Sequence, residues 1–312
     1  MHLQCINGFF VNIPRLLNWL KKNHVKTVLT LHAEFIYTAN CGHARDCERW
    51  KTGCGHCPQL KTDLHSYGID GTHSSWIKMQ KAFAGFDQDL IIVSVSPWLR
   101  ERALQSPFLK KIRHEVVLNG VDVEIFRYRE NLKLREGIGE DRKIVFFATT
   151  YFSDAPYDLK GGRYVLELSK RLKNDKIIFW IAGEYDSNID YPANMIMLGR
   201  IQNQTRLAEY YSMADVTILT SLRETFSMVT AESLCCGTPV VGFLAGGPES
   251  IAIPEYSRFV VQGDVDGLEK ALLDCLKQQL DSTELEKIAQ KKYSRETMTQ
   301  SYIKVYSSAL SD

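Results

Sequence analysis

The chain has no long apolar run, no internal repeat, no low-complexity segment and almost no excess of one charge. Without a stretch of ~20 apolar residues, a membrane-spanning helix is excluded. A net charge of +1, with no basic stripe studded by aromatics, disfavours a nucleic-acid partner. The opening MHLQCINGFFVNIP lacks the basic start, apolar run and small-residue cleavage site of a secretory signal, so a cytoplasmic chain is expected. Also missing is a G-x-G-x-x-G between strand and helix, which a dinucleotide-dependent oxidoreductase requires. The nearest match, Gly137 to Gly139, lies among charged residues.

What is present is size and order. With 312 residues, 45% of them hydrophobic, the chain can form two α/β domains with separate cores. Charge is divided between them: residues 1–119 carry 15 Lys and Arg against 9 Asp and Glu, residues 120–312 carry 23 against 28. A basic first lobe could rest on an anionic membrane surface. Runs rich in β-branched residues, such as VKTVLTL, DLIIVSVS, KIVFFAT and DVTILTS, alternate with helical segments. That pattern predicts parallel sheets covered on both faces, in two Rossmann-like lobes with a cleft between them. The charged stretch 121–142 reads as the linker.

Residues 223–243, RETFSMVTAESLCCGTPVVGF, carry two glutamates, one before a helix and one inside it. Ser227 is a good N-cap for a helix running to Cys236, Gly237 suits the position after it, and Cys235 and Cys236 read as small core residues. The loop follows a strand, where open α/β sheets bind ligands, and amides at a helix start suit a phosphate. Two carboxylates would repel that phosphate, so hydroxyl groups are the expected partners of Glu224 and Glu232. Either glutamate alone could equally be a solvated surface carboxylate. Lys160, where a loop enters a helix beside two glycines, is placed for an anion.

A second constellation is Cys41, Cys47, Cys54 and Cys57, spaced C-x5-C-x6-C-x2-C, with His43 and His56 as substitutes. The spacing fits a structural zinc site, and equally four reduced thiols in a packed loop. Such a closed site would leave no position for substrate.

The two glutamates with seven residues between them, followed by CGTPVVGF and GGPESI, resemble the retaining nucleotide-sugar glycosyltransferases of family 4, which have the GT-B fold. NGVDVEIF (119–126) is similar to the entry into their second domain. TLHAEF and CERWKTGCGHCPQL narrow the resemblance to the colanic-acid and exopolysaccharide type. It implies an acceptor-side lobe over 1–121, a donor-nucleotide lobe over 122–293, and a terminal helix over 294–312 crossing back to the first lobe. It implies transfer of a sugar from a nucleotide-diphosphate donor to a lipid-linked or saccharide acceptor, with no metal or other cofactor in catalysis; the basic first lobe adds an expected peripheral contact at the inner membrane face.

Carried over residue by residue, Glu224 contacts the donor sugar and Glu232 the ribose, while the amides of Ser227, Met228 and Val229 hold the distal phosphate. Lys160 neutralises the diphosphate, His32 stands at the donor–acceptor junction, and Gly183, Gly199 and Arg200 belong to loops near the nucleotide. Two departures stand out. The family arginine about five residues before the lysine is Ala155 here, with Arg163 following instead. The strand, Gly-rich loop and helix that open the family's first lobe have no counterpart before Met1. The first lobe is therefore expected to be incomplete, and a nucleotide-binding remnant or partner subunit without transfer activity is the alternative reading.

Overall fold

A computed structural model describes the chain except Gly8, Phe9, Glu140, Asp175 and Asp312. The fold is α/β with two sheets, both all-parallel, as the strand composition predicts. The chain divides into two compact units, Met1–Leu118 with Met298–Asp312, and Asn119–Thr297.

In the first unit the sheet order is β1 (His2–Gln4), β2 (Thr27–Leu31), β3 (Leu90–Ser94), β4 (Arg113–Val116). Every residue of β2 and β3 is buried, which is why these strands read as near-continuous runs of apolar and β-branched residues. Helix α1 (Ile13–Lys22) starts where Asn12 accepts from the Arg15 amide, and it buries Ile13, Leu17 and Leu20 on one stripe. Helix α2 (Thr72–Phe83) opens where Asp70 accepts from both the amide and the hydroxyl of Thr72. Helix α3 (Pro97–Leu104) is capped by Ser96.

Residues 32–71 contain only two short 3-10 turns, Glu34–Ile36 and Arg49–Lys51. A fully buried carboxylate organises them. Glu34 accepts from Arg102 Nε at 2.6 Å, the Tyr37 hydroxyl at 3.0 Å and the Ala44 amide at 2.7 Å. Unpaired, such a charge would cost several kcal/mol, so these contacts tie the loop to α3.

In the second unit the order is β10 (Ser257–Val260), β9 (Val240–Phe243), β8 (Val216–Leu219), β5 (Lys143–Phe152), β6 (Ile177–Tyr185), β7 (Met195–Gly199). Helices α4 (Gly162–Arg171), α5 (Gln204–Met213), α6 (Met228–Cys235), α7 (Gly247–Ile251), α8 (Val265–Lys277) and α9 (Ser282–Tyr293) connect or follow the strands. Val145, Phe147, Phe179, Ile181, Val216, Ile218 and Val241 form the sheet's share of the core, with Val165 and Leu168 of α4 and Leu268 and Leu272 of α8 against them.

The stretch 121–142, expected to be a linker, is packed onto this unit instead. Arg135 pairs with Asp215 at 2.5 Å, Asn131 donates to Glu209 at 2.9 Å, and the Val121 amide bonds Tyr293 O at 2.7 Å. Several of its charges, Arg129 and Arg135 among them, bind groups within the folded chain, which composition alone does not reveal. The last helix, α10 (Arg295–Ser311), buries Val305 and Ala309 against Val28, Ile91, Val93 and Val117 of the first unit. Among the described residues no helix is long and apolar enough to cross a membrane.

Candidate functional site

The second sheet reverses direction at β5: the chain moves outward through β6 and β7, then returns to the other side of β5 with β8, β9 and β10. At such a reversal the loops leaving two neighbouring strands part, and their carboxyl ends open a crevice for a ligand. The loops in question follow β5 and β8. They carry Lys160 and Glu224.

Those two side chains meet. Lys160 Nζ lies 2.5 Å from Glu224 Oε1, with the lysine 38% and the glutamate 18% exposed. The Ser221 hydroxyl donates to the same carboxylate oxygen at 3.0 Å. The backbone of Glu224 is clamped on both sides, its amide bonding Ala245 O and its carbonyl accepting from the Gly247 amide. Glu249 secures that clamp by accepting from the amides of Ala245 and Gly246 at 3.0 and 2.7 Å. On the other loop, Asp158 accepts from the Lys160 amide at 3.3 Å, and the Thr220 hydroxyl donates to the carbonyls of Lys160 and Gly161. Asp158, Thr220, Ser221 and Glu249 are positioning residues that the sequence did not single out. The signal for Asp158 was present, since an Asp two residues before a lysine and two glycines is an Asx-turn pattern.

The glycines beside Lys160 are there because nothing larger fits. Gly161 has φ +69°, and a Cβ on it would stand 2.2 Å from Thr220 O; one on Gly162 would stand 2.4 Å from Ser153 O. Gly161→Ala should therefore destabilise the protein by more than ~2 kcal/mol in urea unfolding, since neither the backbone angle nor the neighbouring carbonyl can yield cheaply. A loss under about 0.5 kcal/mol would mean that the two loops are not in this register.

Helix α6 begins in the β8 loop. Ser227 is its N-cap, at φ 80° and ψ 94°, and its hydroxyl accepts from the Thr230 amide at 3.2 Å. Met228 and Val229 occupy the first turn, whose amides have no carbonyl partner within a helix and carry the positive end of its dipole. Glu232 lies one turn further in. Burial pushes its carboxyl up to about 7, a hydrogen bond from Tyr211 at 3.3 Å opposing the rise. A carboxyl with a raised folded value stabilises the protein below its ordinary range near 4.5 and loses that contribution as pH climbs toward about 7. Glu232→Gln should thus raise the stability of the ligand-free protein by roughly 2 kcal/mol more at about pH 8 than at about pH 5. Equal effects at both values would contradict the burial argument.

Gly183 has φ +141° and packs at 2.3 Å from Thr149 O in the position its Cβ would take, so the sheet itself demands glycine there. Gly199 has φ +69° with open space around it, and Arg200 is exposed with Nη1 3.4 Å from Glu184. Arg163 lies against its neighbour, its Nη2 2.6 Å from the Tyr164 hydroxyl and its guanidinium 4.5 Å from that ring.

In the first unit, His32 follows β2 with its Nε2 3.1 Å from Gln4 Oε1, and burial lowers its pKa so that the ring is neutral near pH 7. Cys41, Cys47, Cys54 and Cys57 are free thiols, while Cys235 at the end of α6 and Cys236 just after it are fully buried.

The family model described as Glycosyl transferases group 1 matches residues 129–294, just over half of the chain. The colanic acid biosynthesis protein WcaC of Escherichia coli (strain K12), described as a glycosyl transferase, is 22% identical over 98% of this chain and 75% of its own length. The D-inositol 3-phosphate glycosyltransferase of Thermomonospora curvata is 28% identical over 47% of this chain, which spans 39% of it. The structure of Anabaena HepE in complex with UDP superposes with a TM-score of 0.66 at 16% identity, covering 95% of this chain and 76% of that one.

Proposed function

Because the chain belongs to the group 1 glycosyl transferases, we propose that its second unit binds a nucleotide-diphosphate sugar and that the protein transfers the sugar to a lipid-linked or saccharide acceptor in cell-surface polysaccharide synthesis. The observation that carries this reading is the 2.5 Å contact between Lys160 and Glu224 across the two loops at the sheet reversal, beside the start of α6.

The contact suggests an exchange of partners. Before the donor arrives, the ammonium and the carboxylate neutralise each other. When a diphosphate enters, Lys160 turns to its oxygens as a charge-assisted donor, and Glu224 is released to accept from sugar hydroxyls. The first-turn amides of Ser227, Met228 and Val229 receive the distal phosphate, and Glu232 accepts from the ribose. Gly183, Gly199 and Arg200 line the approach of the nucleotide.

As the bond from the anomeric carbon to the phosphate oxygen breaks, negative charge grows on the diphosphate, where Lys160 and the helix amides stabilise it. The new bond from that carbon to the acceptor oxygen forms on the same face, and the acceptor proton passes to the departing phosphate oxygen. In this scheme no protein nucleophile and no catalytic metal is used. His32 serves the acceptor side. The basic charge of residues 1–119 favours a cytoplasmic membrane surface as the place of work.

A panel of uridine- and guanosine-diphosphate sugars, assayed for release of nucleoside diphosphate with crude lipid-linked saccharide as acceptor, tests the reading. One base should support turnover. Binding of a nucleotide with no release from any donor would favour the remnant or partner-subunit alternative.

A further inference from the structure

We propose that Cys41, Cys47, Cys54 and Cys57 bind one zinc ion as a structural tetrathiolate site that fixes the loop between β2 and α2. All four cysteines line a single cavity of about 20 Å³. That is the room of one ion or one water, and four sulfurs around it suit a soft cation far better than water.

Cys41 is buried and Cys47, Cys54 and Cys57 are half-buried, so the four thiols are largely withdrawn from solvent. Trp50 also lines the cavity, and its buried indole N–H has no hydrogen-bond partner. A buried N–H costs about 1–3 kcal/mol if left unpaired, and a metal-bound thiolate beside it is an acceptor.

The turn carrying the last two cysteines is strained in the same sense throughout: Gly53, Cys54, Gly55 and His56 have φ of 140°, 37°, 100° and 46°. Residues other than glycine held there cost on the order of 1–3 kcal/mol each, and persist where something over-determines them. Metal ligation by Cys54 and Cys57 would do so.

Among the described residues no group of three or more His, Cys, Asp or Glu side chains stands in ligating position. Binding therefore requires the four side chains to rotate toward the middle of the cavity, to the usual Zn–S distance of about 2.3 Å. Four Zn–S bonds form, the thiol protons leave to solvent, and no oxidant is involved. A closed site of this kind serves folding, not the transfer reaction.

Elemental analysis of protein purified in reductant should find about one zinc per chain, falling at least tenfold in the Cys54→Ser, Cys57→Ser double variant and unchanged in Cys5→Ser. A serine variant can fail to fold, so the wild-type chain should also be stripped with a chelator and refilled with Co²⁺. Stripping should lower the unfolding midpoint, and refilling should restore it with the intense visible bands of tetrahedral thiolate cobalt. Metal-free protein whose midpoint ignores the chelator and which takes up no cobalt would overturn the proposal. So would a Cys54–Cys57 disulfide in place of metal.

Discussion

Glu224→Ala is expected to reduce sugar transfer at least ~10³-fold while changing the affinity for free nucleoside diphosphate by no more than about fivefold. The asymmetry comes from what the carboxylate touches. It is held by a clamped backbone and by the Ser221 hydroxyl, and it pairs with Lys160. Removing it takes away the acceptor for sugar hydroxyls. It also frees Lys160, so the diphosphate loses no partner and sheds a competitor. Affinity should hold or rise slightly. Glu224→Gln, which keeps shape but loses charge, should free Lys160 in the same way and still fail to restore transfer. Equal loss of transfer and of nucleotide affinity in Glu224→Ala would assign the residue to the nucleotide rather than the sugar.

Lys160→Ala should weaken nucleoside diphosphate binding by roughly 30- to 150-fold, the ~2–3 kcal/mol of a charge-assisted bond in a partly dry site. The larger figure is expected, because the change also strands the Glu224 carboxylate beside incoming phosphates. Arg163→Ala serves as the comparison. Its guanidinium lies against Tyr164, so its loss should change affinity less than threefold, in the range of an exposed charge. If Arg163→Ala cost as much as Lys160→Ala, the arginine would have taken over the cation that Ala155 leaves missing. Calorimetric titration of both variants with the same nucleotide separates the cases.

The fold class was legible because parallel strands buried on both faces are dominated by apolar and β-branched residues, as β2, β3 and β8 are. The start of α6 was legible for a local reason, since a capping serine and a glycine past the end act within a few residues. What depends on distant residues was not legible. The 121–142 stretch looked like a linker because Arg135 finds Asp215 only in the folded chain. The short helix α7 escaped notice because its start rests on Gly246 and Glu249, which act on a loop facing Glu224. The loop 32–71 has no periodicity to read, being set by Glu34 and Arg102, 68 residues apart. Likewise the spacing of the two glutamates marked a candidate site, but the pairing of Glu224 with Lys160 is a tertiary event.

The central claim is that the loops after β5 and β8 form a nucleoside diphosphate site whose cation is Lys160 and whose anion clamp is the start of α6. Titration of the wild-type protein with uridine and guanosine diphosphates in chelator, followed by heat of binding, tests it most directly. The account predicts saturable binding of one of them at a single site, unchanged when magnesium replaces the chelator. Binding that appears only with magnesium, or no binding of either nucleotide, would contradict it.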